Sequence, residues 1–308
     1  GIFVYEQIES LNKMGIQCDV FFINGKENGK KAYLEAIFEL RKLLCMNSYD
    51  VIHCHHVFSA LVLLLTSFNF RKICIISYQN SPRYEGGLLL FHLLKLITYK
   101  IIIKNNNISK KYKNTFHLPN GVDTNLFYHR NRNDCLNILK LDKNKNYILF
   151  VDSNTKSRTQ KRHDRFKHTL NILKRDYKYN NLEPIVLTNV KRNLMPIYIN
   201  AVNVYLLTSD FEGSPNTVKE CVACGTPVVS TNVGNVSDIL MNVPGSYVVE
   251  EFNANLLAEK VDCVLKNGNI SKNEVKLENK YNIIHVADVL IKLYKKCISI
   301  FPNHVFSK

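Results

Sequence analysis

Two glutamates eight residues apart are the first candidates for chemistry in this sequence. Glu212 lies in a polar loop that follows an apolar, strand-like run over residues 204–209, and Glu220 lies in the helix-like segment that comes next. The N-terminus of a helix presents free N–H groups and the positive end of its dipole, which suit a phosphate or a sugar oxygen. A carboxylate in the second turn can accept hydrogen bonds from a vicinal diol, such as that of a ribose. The spacing therefore favours a ligand that carries both phosphate and hydroxyl groups.

The glycines and prolines around these glutamates are explained by backbone geometry. Ser214 is predicted to cap a helix over residues 215–224, with Pro215 at its first position. Gly225 is predicted to end that helix, and Pro227 follows just beyond it. No such backbone role accounts for the two carboxylates, which remain the binding candidates.

Strand-sized apolar runs alternate with helix-sized amphipathic segments in two series along the 308 residues. Such alternation is typical of parallel sheets with helices on both faces. The first series of predicted strands covers residues 18–23, 50–55, 72–77 and 99–103, and the second covers residues 147–151, 184–188, 204–209, 227–231 and 246–249.

We therefore expect an α/β protein with two doubly wound, Rossmann-like domains that face each other across a cleft. Residues 1–118 would form the first domain, residues 119–280 the second, and residues 281–308 a C-terminal helix that packs back on the first domain. Because residues 18–23 resemble the second strand of the first domain, a first strand is expected to be missing from this chain. Ligands bind such sheets beyond the carboxyl ends of the strands, so the cleft is the expected site.

The block from Glu212 to Gly234 carries a resemblance to a known family. It contains EGSPN, KE, ACG, PVVST and VG in that order, and it is similar to the signature of the retaining GT-B glycosyltransferases of family 4, the group 1 glycosyl transferases. LPNGVDTNLF at residues 118–127 and YDVIHCHH at residues 49–56 also resemble motifs of this family, so the resemblance covers nearly the whole chain. It implies a GT-B fold and a nucleoside diphosphate sugar as donor.

The resemblance also implies roles for the residues of the block. Glu220 would bind the ribose hydroxyls of the donor. Glu212 would hold the donor sugar and the adjoining phosphate together with four loop residues, namely Gly213, Ser214, Pro215 and Asn216.

A basic pair after the first strand of the second domain is implied as well. Lys161 is the best match to the lysine of the family, and Arg158 is favoured over Arg162 as its arginine. A diphosphate leaving group gathers negative charge as the glycosidic bond breaks, and these cations and a helix N-terminus would neutralise it. The sequence contains no Asp-x-Asp pair, so we expect no metal and no cofactor other than the donor as co-substrate.

On the acceptor side the sequence departs from the family. Many relatives place a histidine at the end of the strand predicted over residues 72–77, where this sequence has Gln79. A glutamine can hydrogen-bond a sugar hydroxyl but cannot act as an acid or a base. His53 and His55, at the end of a neighbouring predicted strand, are the other acceptor-side candidates, although packed or solvent-facing roles explain such histidines equally well.

Composition and charge narrow the class of protein and its partners. With 46% apolar and 22% charged residues, the chain is neither disordered nor fibrous. The net charge of +15 is concentrated in residues 51–122, where nine Lys or Arg residues accompany one Glu. A solvated basic surface explains this excess, and so does an anionic partner, either nucleic acid or a membrane face. Nine cysteines without regular spacing and a start without a secretory signal favour a cytoplasmic protein. If its acceptor is lipid-linked, the basic stretch would attach the protein peripherally to the inner face of the membrane.

These observations lead to one expected function and to alternatives that stay open. The expected protein is a retaining, metal-independent, hexosyltransferase-like enzyme that moves a sugar from a nucleoside diphosphate sugar to a glycan or lipid-linked acceptor in cell-surface polysaccharide assembly. The alternatives are a GT-B nucleotide-sugar epimerase or hydrolase and a truncated, non-catalytic remnant that binds nucleotide. A nucleic-acid-binding protein would explain the charge but not the two glutamates, so no nucleic-acid partner is expected.

Overall fold

The computed structural model describes residues 2–152, 159–267 and 276–302. Its helices are α1 (Ile2–Lys13), α2 (Gly25–Asn28), α3 (Lys31–Met46), α4 (Val57–Thr66), α5 (Leu88–Ile97), α6 (Asn106–Lys111), α7 (Arg132–Leu139), α8 (His163–Asp176), α9 (Met195–Ala201), α10 (Asn216–Cys224), α11 (Val236–Leu240), α12 (Ala254–Asn267) and α13 (Ile283–Ile300). Its strands are β1 (Ile52–Cys54), β2 (Cys74–Tyr78), β3 (Lys100–Ile103), β4 (Thr115–His117), β5 (Asn146–Val151), β6 (Leu182–Leu187), β7 (Val204–Leu207), β8 (Val228–Thr231) and β9 (Tyr247–Val249).

The chain divides into two compact units. One unit comprises the residues up to Gly121 and those from Ile283 onward, and the other comprises Val122–Asn282. A Cβ on Gly121 would lie only 2.5 Å from the Cα of Ile283, so glycine is needed for this close approach of two backbone segments. The C-terminal helix α13 therefore belongs to the first unit, where it contacts α1.

The sheet of the first unit has the strand order β1-β2-β3-β4, with all of the described pairs parallel. Alternate residues of each strand point to opposite faces. Ile75 and Ile102 pack with α1 and α13 on one face. Ile76 and Ile101 pack with residues of α4 and α5 on the other. Because both faces are covered, the strands are apolar along nearly their whole length.

The strand predicted over residues 18–23 is not formed. In the described structure this segment has no strand partner, and β1, the edge strand on that side, pairs only with β2. A strand requires a neighbour for its N–H and C=O groups, and the apolar pattern of the segment cannot supply one. Val20 and Phe22 are consequently exposed.

The sheet of the second unit is doubly wound, as predicted. Its strand order is β6-β5-β7-β8-β9, with all described pairs parallel, and the order reverses between β5 and β7. Separate apolar clusters cover its two faces. Leu149, Tyr205 and Val228 belong to one cluster, and Ile148 and Leu206 belong to the other. The α/β class with parallel sheets is thus confirmed in both units.

None of the described helices combines the length and the apolar character that crossing a lipid bilayer would require.

Candidate functional site

The strand order of the second sheet reverses where β5 and β7 end, and a crevice forms at such a reversal. Thr208, directly after β7, donates its hydroxyl to the carbonyl oxygens of Lys161 at 3.1 Å and Arg162 at 3.0 Å. The backbone N–H of Asp210 donates to the carbonyl oxygen of Gln160 at 2.8 Å. These bonds hold the segment before α8 against the segment that follows β7.

The same two segments are joined by an ion pair between two residues singled out from the sequence. The Lys161 Nζ lies 2.6 Å from the Glu212 Oε1, and the Ser209 hydroxyl donates to that oxygen at 2.9 Å. The side chains of Lys161 and Glu212 are only 17% and 12% exposed. Little solvent screens this pair, so each charge depends on the other to remain in this position.

A second ion pair holds the other candidate glutamate. Glu220 lies in α10 with its side chain 3% exposed, and the Arg192 Nη1 lies 2.7 Å from its Oε1. The guanidinium of Arg192 stacks on the Phe127 ring at 4.4 Å. Arg192 thus fixes the orientation of the Glu220 carboxylate. Arg192 was not among the residues singled out from the sequence, although it follows a predicted strand at the same sheet edge as Glu212, and that position could have identified it.

The N-terminus of α10 lies between the two glutamates in sequence. The prediction that Ser214 caps this helix is wrong, because the N-cap is Pro215, in extended conformation, and the helix begins at Asn216. The Ser214 Oγ and the Asn216 Oδ1 are buried without a hydrogen-bond partner in the described structure, and so is the Asn235 Oδ1. Buried polar atoms are rarely left unpaired, so these three oxygens are candidates for contacts with a polar ligand.

Gly234 allows the loop after β8 to approach the loop that carries Glu212. Its φ of +61° is unfavourable for residues with a side chain, and a Cβ would lie 2.6 Å from the carbonyl oxygen of Gly213 and 3.0 Å from that of Glu212. A glycine is therefore required at this position by both conformation and space. The close approach fixes the backbone of the Glu212 loop.

The arginine of the predicted basic pair is not placed by the structure. Arg158, the favoured residue, lies outside the described residues. Arg162 is engaged by two carboxylates, since its Nη2 lies 2.7 Å from the Asp164 Oδ2 and its Nη1 lies 3.1 Å from the Asp210 Oδ1. Arg165 also pairs with Asp210, at 2.7 Å. Arg162 is thus part of an ion-pair network that supports the loop after β7.

The two acceptor-side histidines lie together at the carboxyl end of β1 in the first unit. Both ring nitrogens of His53 are hydrogen-bonded, Nδ1 to the Tyr294 hydroxyl at 2.7 Å and Nε2 to the Ser77 hydroxyl at 2.8 Å. His55 stacks on His53 at 4.2 Å. Burial lowers the pKa of His53 well below its usual value and that of His55 to about 3, and the positive charge of Lys104 contributes to both shifts. Both imidazoles are therefore neutral at pH 7, and His53 is committed to holding the cluster together.

Gln79, the third acceptor-side candidate, directly follows β2 in the same unit. Its side-chain oxygen accepts a hydrogen bond from Asn120 at 3.2 Å, and its backbone N–H donates to the Glu85 Oε2 at 2.7 Å. Glu85 is buried and also accepts from the backbone N–H groups of Val57 and Asn80. Gln79 therefore lies in a loop whose backbone is fixed by one buried carboxylate.

Lys104, which directly follows β3, is a further buried charge at this edge of the first sheet and was not singled out from the sequence. Burial lowers the pKa of its amine to about 7, although the nearby Glu85 carboxylate acts in the opposite direction.

In the described part of the chain, no group of three or more His, Cys, Asp or Glu side chains is arranged to hold a metal ion.

Comparison with known families identifies the part of the chain that carries the two glutamates. Residues 170–282 match the family described as Glycosyl transferases group 1. The second unit contains a group 1 glycosyl transferase domain. The match includes Arg192, Glu212 and Glu220, whereas Lys161 and the three acceptor-side candidates lie outside it. No curated protein is significantly similar in sequence to this chain.

Solved structures show the fold that surrounds the group 1 domain. Sucrose-phosphate synthase from Thermosynechococcus elongatus is 16% identical with a TM-score of 0.74, over 97% of this chain and 93% of that one. Anabaena HepE in complex with UDP is 14% identical with a TM-score of 0.67, over 93% and 88% of the two chains. Trehalose-6-phosphate synthase OtsA is 14% identical with a TM-score of 0.65, over 95% and 81%. At these identities the likeness establishes the fold alone, and the predicted GT-B fold is confirmed.

Replacing Gly234 in the group 1 domain should disturb the Glu212 loop. We expect Gly234→Ala to lower the free energy of unfolding by about 2–4 kcal/mol, because it adds both backbone strain and a clash with two carbonyl oxygens. Gly15→Ala is the matched control, since Gly15 also has a positive φ but nothing within 4 Å of its Cβ position. Urea unfolding followed by circular dichroism checks this, and equal losses in the two variants would contradict the close approach.

The buried amine of Lys104 should make stability depend on pH. The unfolded chain keeps this proton to about pH 10.5, whereas the folded protein loses it near pH 7, so unfolding takes up a proton between these values. Raising the pH from 7 to 9 should therefore stabilise the wild type relative to Lys104→Met by about 2 kcal/mol. The control is Lys174→Met, which removes an exposed lysine of α8. Its free energy of unfolding should change with pH in parallel with that of the wild type. If the free energies of unfolding of the wild type and Lys104→Met changed equally with pH, a deprotonated Lys104 amine in the folded protein would be excluded.

Proposed function

We propose that this protein is a retaining glycosyltransferase of family 4 that transfers a hexose from a nucleoside diphosphate sugar to a glycan or lipid-linked acceptor. The observation that supports the proposal best is the arrangement around α10. Glu212 and Glu220 are each held by a cation, at 2.6 Å and 2.7 Å, on either side of a helix N-terminus with unpartnered polar oxygens. Such an arrangement suits a ligand with phosphate and hydroxyl groups.

The donor would bind this arrangement with its diphosphate at the N-terminus of α10. The free N–H groups of the first helical turn and the Ser214 hydroxyl would donate to the phosphate oxygens. Glu220, oriented by Arg192, would accept hydrogen bonds from the ribose hydroxyls. Glu212 would accept hydrogen bonds from the sugar. Anabaena HepE has been solved with UDP and with UDP-glucose, which supports a uridine diphosphate sugar as the first donor to test.

Lys161 would stabilise the leaving group. As the glycosidic bond breaks, its electron pair stays with the diphosphate, and the new negative charge favours a nearby ammonium group. Lys161 forms a hydrogen bond to Glu212, so the cation would lie next to the sugar-binding carboxylate at the moment when charge develops. In this mechanism the departing phosphate accepts the proton of the acceptor hydroxyl as the new bond forms on the same face of the sugar. Neither an enzyme nucleophile nor a metal ion is required.

The acceptor would bind the first unit, where His55 and Gln79 offer neutral hydrogen-bonding groups. Because His55 is neutral at pH 7, it could donate or accept a hydrogen bond with a sugar hydroxyl but would not act as a general acid. His53 would position His55 through their stacked rings. A role in cell-surface polysaccharide assembly on the cytoplasmic face of the membrane is part of the same proposal.

Removal of the Glu220 carboxylate tests the donor site. Hydrogen bonds to a charged group contribute about 1.5–3 kcal/mol each, and two such bonds to the ribose would be lost in Glu220→Ala. We expect the affinity for UDP, or for the nucleoside diphosphate that the wild type prefers, to fall by about 3–5 kcal/mol in calorimetry, a hundredfold to a few thousandfold. Glu259→Ala removes an exposed glutamate of α12 and should leave the affinity unchanged.

Thermal melts of both variants would separate a loss of binding from a loss of folding. Unchanged nucleotide affinity in a folded Glu220→Ala protein would remove this residue from the site. Analysis of the products distinguishes the reaction class. Release of free sugar at equal rates with and without a glycan acceptor would indicate a hydrolase instead of a transferase.

A further inference from the structure

Helix α5 exposes a row of leucines on the surface of the first unit. Leu89, Leu93 and Leu96 are 88%, 54% and 81% exposed, and their spacing places them on one face of the helix. The opposite face is anchored in the core through Phe91 and Leu94. Soluble proteins seldom leave a contiguous group of large apolar side chains in water unless it contacts a partner.

The surface next to this row of leucines is basic. Tyr112, at the end of α6, packs against Phe91 and His92 of α5 with ring centroids 4.7 Å and 5.8 Å apart. The last turn of α6 therefore adjoins α5. That turn carries the exposed residues Lys110 and Lys111, and the exposed Lys113 follows it.

No acidic residue balances these charges locally. Residues 86–122 contain six lysines and neither Asp nor Glu. None of the ion pairs in the described parts of the chain involves Lys110, Lys111 or Lys113. The three ammonium groups are thus available to an anionic partner.

We propose that Leu89, Leu93 and Leu96 with Lys110, Lys111 and Lys113, which we call the α5 face, dock the protein on an anionic lipid bilayer. The leucines enter the boundary between headgroups and acyl chains, and the lysines bind the lipid phosphates. At ten residues, α5 is too short to span a bilayer and would lie parallel to its surface. The combination of leucines and lysines favours a lipid bilayer over nucleic acid as the partner, because nucleic acid would contact the lysines but would leave the leucines in water.

This inference names the surface that would give the proposed membrane location, but it does not depend on the proposed transfer reaction. The α5 face lies in the first unit, outside residues 170–282 of the group 1 domain. Membrane docking can therefore be measured without a donor or an acceptor.

Co-sedimentation of the full chain with vesicles tests the proposal. Vesicles of phosphatidylcholine with about one third phosphatidylglycerol should bind the wild type at least tenfold more strongly than vesicles of phosphatidylcholine alone, because each cation near an anionic leaflet gives roughly a fivefold gain. The triple variant Leu89→Ser, Leu93→Ser, Leu96→Ser should bind the anionic vesicles at least about tenfold more weakly than the wild type. The control is Leu34→Ser with Phe38→Ser, which removes two exposed apolar side chains of α3 and should bind within about twofold of the wild type.

Charge reversal tests the second half of the α5 face. Lys110→Glu, Lys111→Glu and Lys113→Glu together should weaken binding to anionic vesicles at least about tenfold. The matched control reverses three lysines exposed on or next to α8, namely Lys167, Lys174 and Lys178, and should have a smaller effect. Equal losses from both lysine triples, or wild-type binding by the leucine triple, would overturn the proposal.

Two other outcomes would assign this surface to a different partner. The surface would belong to nucleic acid if the wild type bound random DNA but not vesicles, and if the lysine triple variant lost this DNA binding while the leucine triple variant kept it. A dimer in solution that dissociates in the leucine triple would assign the leucines to a contact between two copies.

Discussion

The ion pair between Lys161 and Glu212 is the contact on which the rest of the site depends. It joins the two segments that leave the second sheet where the strand order reverses, and its charges are 2.6 Å apart with little exposure to solvent. Hydrogen bonds from the Thr208 hydroxyl and from the backbone N–H of Asp210 hold the same two segments together. In the proposed mechanism, this geometry would place a carboxylate for sugar hydroxyls and an ammonium group for phosphate within one hydrogen bond of each other.

Two further contacts fix α10 and the loops next to it. Gly234 brings a second loop against the backbone of Glu212, and Arg192 holds Glu220 from the segment that follows β6. Four segments at the edge of one parallel sheet, which follow β5, β6, β7 and β8, are thus fixed before any ligand binds. A preorganised set of donors and charges costs little reorganisation when the leaving group develops charge, which is why this architecture suits transfer of an activated sugar.

Much of the fold of the second unit, and part of the candidate site, could be predicted from local sequence. The strands of the second sheet and the end of α10 followed from apolar runs and from Gly225, because these signals lie within a few residues of the elements they specify. The features that were missed are set by distant parts of the chain. Residues 18–23 have a strand-like pattern but no partner, and the roles of Arg192 and Lys104 depend on which strands are neighbours. The start of α10 was misplaced by one residue, because a serine before a proline looks like an N-cap whether or not its hydroxyl is used.

The most direct test is a double-mutant cycle on nucleotide affinity. UDP, or the nucleoside diphosphate that the wild type prefers, is titrated by calorimetry into the wild type, Lys161→Met, Glu212→Gln and the double variant. Because each of these side chains holds the other in place, the losses should be non-additive, with a coupling energy of at least about 1 kcal/mol. Losses that add within about 0.3–0.5 kcal/mol, or unchanged affinity in all three variants, would contradict a binding site organised by this ion pair.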